Sequence, residues 1–237
     1  MELTVSNLWS SGLVLCGLQM ERASNIPKLC ATIFNHHTHA GLHIFDTMSR
    51  YILFTGAPGS KWSGVMANIY QSPDIDQSDN RPDRQYESGA VQHFGSYFDP
   101  GMEFDNDVSN WDQPFNGTGR RIIRSHTFAH QLHQLSTLGH PIVMVYRNDY
   151  ECFDWWCNAG GFAITYPNYI NYYGDLDNLW QQIKAQNYDI MEFIKNHTTH
   201  TAANNIELCH ALAIAVPPNC KVQDYSTQDT RVYIHNV

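Results

Sequence analysis

The sequence contains no run of about 18 apolar residues, so no membrane-spanning helix is expected and no membrane partner is read. It is short of cations: 14 lysines and arginines stand against 23 aspartates and glutamates, for a net charge of −9. A general nucleic-acid binder carries a basic face, so nucleic acid is not an expected partner. A local basic pocket for one anionic ligand remains compatible with that balance. No C-x-x-C pair occurs among Cys16, Cys30, Cys152, Cys157, Cys209 and Cys220. In a chain of this length, scattered cysteines are expected as reduced core thiols rather than as a disulfide framework or a metal site. No positively charged start precedes the brief apolar stretch at 13–18, so no signal peptide is read and a cytoplasmic location is the expectation. Internal repeats are absent. So is the Walker pattern G-x-x-x-x-G-K-S/T: Gly56 and Lys61 are five apart, but Ser60 precedes the lysine and Trp62 follows it.

What is present suits a folded domain. The 237 residues suffice for one sizeable α/β domain, and 13 Tyr, 11 Phe and 6 Trp supply bulk for a core. The organising stretch is 51–69, YILFTGAPGSKWSGVMANI. Residues 51–55 form a short apolar run of the kind found in a buried parallel strand. Gly56, Pro58 and Gly59 break it. Residues 60–63 then open a helix whose apolar positions Val65, Met66 and Ile69 recur at helical spacing. Backbone N–H groups at a helix start, with the helix dipole behind them, bind anions. Lys61 adds a charge there, and Ser60 and Ser63 add hydroxyls. The plain alternative is a βα turn with a capping serine.

Residues 1–47 do not resemble the rest of the chain and are expected to be irregular and outside the core. The tract 35–43, with four histidines, reads as an irregular segment in preference to a metal site. Met48 then opens the main domain, 48–237. After the loop helix comes an excursion at about 71–119, rich in Asp, Asn, Ser, Pro and Gly and punctuated by Tyr86, Phe94, Tyr97, Phe98, Phe104, Trp111 and Phe115. Such a length suggests a packed lid or binding segment. Asp105, Asp107 and Ser109 begin like a calcium loop, but Asn110 and Asn116 stand where Gly and Glu are required, so no calcium site is read.

Further strands are expected at 120–124 and 141–146. A helical stretch from His126 to about Leu138 should end at Gly139. Asn148 or Asp149 should cap a helix over NDYECFDWW, and an amphipathic helix should cover 175–196. Residues 206–216 fit either helix or strand. Residues 222–225 and 231–234 read as edge strands. Because open α/β sheets bind ligands at the carboxyl ends of their strands, residues 56–63, 124–126 and Arg147 converge as a candidate site. Each has a plainer reading: His126 as a capping or packing residue, Arg147 as an ion-pair partner of Asp149 or Glu151. His126, His130 and His133 share a helical face, but no Glu lies between them in a protease arrangement, so no metal is expected.

In this order the pieces resemble the sulfotransferase family that uses 3′-phosphoadenosine-5′-phosphosulfate (PAPS), most closely its divergent, short bacterial or phage members. The family's P-K/R-S-G-T-T loop corresponds to Pro58, Gly59, Ser60, Lys61, Trp62 and Ser63. Its K-T/S-H corresponds to Arg124, Ser125 and His126, and its apolar strand ending in arginine to residues 142–147. There are departures. The lysine stands two places later than the family's basic residue, Trp155 replaces the serine eight residues after the strand-end arginine, and a late R-K-G is missing. The resemblance implies a three-layer α/β/α, P-loop NTPase-like fold with a central parallel sheet. It implies sulfuryl transfer from PAPS to a small-molecule or carbohydrate acceptor, without a metal. Lys61 and the loop then hold the phosphosulfate, His126 is the base, Arg124 stabilises the transferring group, and Arg147 pairs with the 3′-phosphate. A P-loop small-molecule or nucleotide kinase and a catalytically inactive nucleotide-binding domain are the alternatives.

Overall fold

Strand β1 (Tyr51–Gly56) is buried on both faces, with Ile52, Leu53 and Phe54 wholly inaccessible. That explains why its sequence is a continuous apolar run rather than an alternating one. The computed structural model describes residues 49–78, 111–112, 115–163 and 169–237. The expectations for 1–47, for Cys16 and Cys30, for the calcium-like residues 105–110 and for most of the 71–119 excursion fall outside them.

Two strands flank β1 in parallel register: β2 (Arg121–Arg124) and β3 (Ile142–Arg147), with Leu53 opposite Ile123 on one side and Ile142 on the other. Strand β5 (Thr230–His235) pairs antiparallel with β3, and β4 (His200–Ala202) pairs antiparallel with β5. The five-stranded sheet therefore has the order β2-β1-β3-β5-β4. The expected parallel sheet is therefore present in part, as β2-β1-β3, and β5 and β4 make the whole sheet mixed. Thr230 starts opposite Arg147, at the carboxyl end of β3, so β5 can only run back along it. A parallel partner would need a crossover delivering the chain to the other end. The same register corrects the expectation for 231–234. These residues lie in β5, which has a neighbour on both sides, so among the described strands the sheet edges are β2 and β4. Residues 222–225 form no strand, only an isolated bridge from Asp224 to Asn204.

Alternate residues of the strands feed opposite faces. Ile52, Phe54, Ile122, Val143, Val145, Val232 and Ile234 pack with helices α1 (Trp62–Tyr70) and α6 (Asn205–Ala211). Leu53, Ile123, Ile142 and Met144 pack with a 3-10 turn at His126–Gln131, the short helix α2 (Leu132–Ser136) and the long helix α5 (Leu176–Asn196). Helix α3 (Asp149–Asn158) begins at the expected Asn148 cap, whose side chain accepts from Tyr150 N. Its Cys152 and Trp156 join Ala57 of the loop, Tyr169 and Tyr173 of α4 (Tyr169–Tyr173), and Leu179 and Ile183 of α5. This third cluster holds the loop against α3. Each fully buried apolar side chain of this size is worth about 1.5–3 kcal/mol.

Candidate functional site

The loop between β1 and α1 is held by close backbone approach. Ser60 N donates to the Ala57 carbonyl at 3.0 Å, closing a tight turn over buried Pro58. A Cβ on Gly59 would lie 1.9 Å from the Cys152 carbonyl oxygen, and φ at Gly59 is +79°. A Cβ on Gly56 would lie 2.6 Å from Ser60 Oγ and 2.8 Å from the Val145 carbonyl. Glycine at 56 and 59 is thus required by what presses on the loop, not only by the turn. Lys61 is the N-cap of α1, in the left-handed region at φ 65°, and makes no side-chain cap bond. Its carbonyl accepts from Gly64 N and Val65 N. The amides of Trp62 and Ser63, at the first helical positions, have no acceptor within the helix.

The end of β2 lies on one side of this loop. Arg124 and His126 are each 1% exposed. Arg124 Nη1 donates to Ser63 Oγ at 3.4 Å, and its guanidinium carbon sits 5.7 Å over the Trp62 ring. His126 stacks on the same indole at 4.2 Å with 30° between the planes. His126 Nδ1 lies 2.6 Å from the Gly56 carbonyl. A carbonyl only accepts, so Nδ1 carries hydrogen and the neutral ring keeps its lone pair on Nε2. Ser125 caps the following turn by accepting from Thr127 N.

The end of β3 lies on the other side. Arg147, 6% exposed, donates from Nη1 to the carbonyls of Glu151 at 2.6 Å and Gly59 at 3.5 Å, and from Nη2 to Glu151 Oε2 at 3.0 Å. Asn187 on α5 pins the strand end, donating to the Arg147 carbonyl at 2.8 Å and to Asp149 Oδ1 at 2.6 Å. Lys61 Nζ rests 4.6 Å from the centre of the half-exposed Trp155 ring. Desolvation, then the charge of Arg147, hold the lysine's pKa below its ordinary value, against the opposing pull of Asp229 and Glu151. The buried polar atoms here without a hydrogen-bond partner include Ser60 Oγ, Arg147 Nε and Asn187 Oδ1.

Every residue of the candidate donor and catalytic site therefore lies at or beside the carboxyl ends of β1, β2 and β3. They form two groups: Arg124, His126 and Ser63 around Trp62, and Lys61, Arg147 and Glu151 beside Trp155. Of the two ion-pair partners considered for Arg147, Glu151 is the one it takes. Sequence reasoning placed Trp62 in the loop and noted Trp155 only as a departure, without the role of either ring, and it missed Asn187 altogether. Trp62 stacks on the histidine, Trp155 carries the lysine, and Asn187 comes from a helix 40 residues downstream of Arg147. No short-range pattern announces contacts of that separation.

The histidines of the 126–133 stretch take other partners. His130 pairs with Asp189 at 2.6 Å and His133 packs on Phe193 and His197. Among the described residues no group of three His, Cys, Asp or Glu side chains could hold an ion. A shallow, open depression of about 450 Å³ lined by Phe162, Ile170, Asp175, Leu176 and Asp177 includes no loop residue. No described helix is long and apolar enough to cross a membrane. Comparison with protein-family models, with curated proteins and with solved structures finds no match to this chain.

Proposed function

We propose that the chain transfers a sulfuryl group from PAPS to a hydroxyl or amine of a small-molecule or carbohydrate acceptor, on a P-loop NTPase-like arrangement of helices about the sheet. One observation carries the reading. Buried Arg124, His126 and Arg147 meet a strand–loop–helix turn at the ends of adjacent parallel strands, where Ser60 Oγ and Arg147 Nε lack partners. A buried polar group left unsatisfied costs about 1–3 kcal/mol. An anion accepting from these donors and from the first amides of α1 would remove that cost.

Sulfuryl transfer, like phosphoryl transfer, depends on alignment and charge stabilisation. The acceptor oxygen or nitrogen forms a bond to sulfur while the bond from sulfur to the phosphate oxygen breaks, its electron pair leaving on that phosphate. His126 Nε2 takes the acceptor's proton, a contribution of about 10²–10⁴-fold for a positioned base. The Gly56 carbonyl and the Trp62 ring hold the imidazole in the tautomer this requires. Lys61 and the loop amides neutralise the leaving phosphate, Arg124 meets charge on the transferring group, and Arg147 meets the 3′-phosphate.

The position after Lys61, which in a kinase loop supplies a hydroxyl to Mg²⁺, is a buried tryptophan instead. That favours sulfuryl over phosphoryl transfer. The test is calorimetric titration with 3′-phosphoadenosine-5′-phosphate (PAP) and, separately, with ATP and Mg²⁺, on wild type and Lys61→Ala. Metal-independent PAP binding that weakens in the variant is expected. Tight ATP–Mg²⁺ binding without PAP binding would overturn the reading in favour of a kinase. PAP binding without turnover across an acceptor panel would leave a nucleotide-binding domain.

A further inference from the structure

We infer that Glu151 is a specificity-determining residue. Its carboxylate occupies the face of Arg147 that a donor's 3′-phosphate needs, so the wild-type protein distinguishes only weakly between PAP and adenosine 5′-phosphate. The inference rests on the reading of the loop as a donor site.

Arginine recognises phosphate through a rigid fork, two parallel N–H groups on two oxygens. Here most of the fork is engaged. Nη1 donates to two backbone carbonyls, those of Glu151 and Gly59, and Nη2 donates to Glu151 Oε2. Nε alone lacks a partner. The guanidinium has little room to turn elsewhere. Its stem is buried, and Asn187 ties its backbone to α5 and to the first residue of α3. What can move is Glu151, whose side chain is 52% exposed. The second half of the family's clamp is also changed, since Trp155 stands at the serine position and its ring carries Lys61. A 3′-phosphate must therefore displace a carboxylate, or sit beside one, to reach Arg147. A 5′-phosphate held by the loop amides and Lys61 meets Glu151 only through its charge, which also acts on Lys61, and not through a carboxylate hydrogen-bonded to its donor.

Glu151→Gln removes the charge while keeping the side-chain length and the backbone carbonyl that holds Nη1. Titrations of wild type and Glu151→Gln with PAP and with adenosine 5′-phosphate, at fixed ionic strength, measure the effect. The variant is expected to bind PAP about fivefold more tightly, the upper range for an ion pair of this exposure, with a smaller gain for adenosine 5′-phosphate, since Glu151 also acts on Lys61 through its charge. An equal shift for both ligands, no shift, or weaker PAP binding would each overturn the inference while leaving the donor reading intact. If neither nucleotide binds either protein, the donor reading fails, and inorganic phosphate becomes the probe. Phosphate binding gained in the variant would keep Glu151 as the occupant of Arg147; equal behaviour would overturn that too. A melting temperature within about 3 °C of wild type, roughly 1 kcal/mol for a chain of this size, excludes a folding defect.

Discussion

Alanine at three glycines should separate backbone strain from steric overlap and so test the seating of α3 on the loop. At Gly64, in the first turn of α1, an added Cβ meets nothing within 4 Å. Gly64→Ala should stabilise the protein by about 0.5–1 kcal/mol, the usual difference between glycine and alanine in a helix. At Gly139 an added Cβ also meets nothing within 4 Å, but φ is +71°. The left-handed conformation alone should cost about 1–2 kcal/mol. Gly59 combines a φ of +79° with a Cβ position 1.9 Å from the Cys152 carbonyl oxygen, 2.7 Å from its carbon and 3.0 Å from its Cα. Those atoms are helix backbone, so no side-chain rotation relieves the overlap. Adding an overpacking cost of about 1–3 kcal/mol to the strain puts Gly59→Ala at about 2–5 kcal/mol. Urea unfolding at one pH, with a common slope for the variants, measures all three. Equal losses at Gly59 and Gly139 would show that α3 does not rest on the loop. A loss at Gly64 would refute a helix starting at Trp62.

Cysteine reactivity and acid sensitivity give two further checks. Burial pushes the Cys152 thiol up to about 12 and the Cys209 thiol up to about 11, so peptide mapping after alkylation at pH 8 should find both protected in the native protein and modified in urea. Rapid native labelling of Cys152 would contradict its place beneath the loop. Burial, then the charge of Arg120, hold the His140 imidazole below its ordinary value of 6.5. The unfolded chain therefore takes that proton at a higher pH than the folded one. The contribution of His140 is complete above about pH 6.5 and is lost as the pH falls below it. Melting temperatures from pH 8 to 5.5 should fall less steeply in His140→Gln than in wild type; identical slopes would remove His140 from the acid response.

The parallel half of the sheet was legible because β1 and β3 are buried on both faces, and a continuous apolar run bounded by glycine or proline has few other solutions. Helix α5 was legible for the opposite reason, since its apolar positions recur at helical spacing behind an Asp175 cap that accepts from Asn178 N at 2.7 Å. Strand β5 misled because alternate residues, Arg231, Tyr233 and His235, are exposed or only partly buried, which resembles an edge. Its interior position depends on partners far away in sequence. The segment 206–216, left open between helix and strand, carried a usable signal. Asn204 accepts from Ile206 N and Glu207 N, while Glu207 accepts from Ala203 N. An Asn followed three residues later by Glu marks a helix start. In the site, residue types and strand ends were readable, but the split into two groups was not. The split arises where Trp62 and Trp155 point, and tertiary packing decides that.

Several irregular features meet at the loop, although others stand elsewhere, at Ala213, Asn219, Asp229 and Asn236, which also have positive φ. Lys61 is a non-glycine residue in the left-handed region, Ser60 Oγ and Arg147 Nε lack partners, and Lys61 bears the repulsion of the like-charged Arg147. All lie on the loop or the strand end beside it. A purely structural turn needs none of them. Asparagine or glycine at 61 would adopt the same backbone at lower cost, and an uncharged chain would pack on Trp155 without repulsion from the guanidinium. This acidic chain also places two buried arginines, Arg124 and the Glu151-paired Arg147, on either side of the same loop. Natural sequences concentrate such departures from local preference at functional sites. The stability of the turn does not account for the charge at 61; the proposed anion site, between the two arginine-bearing strands, would.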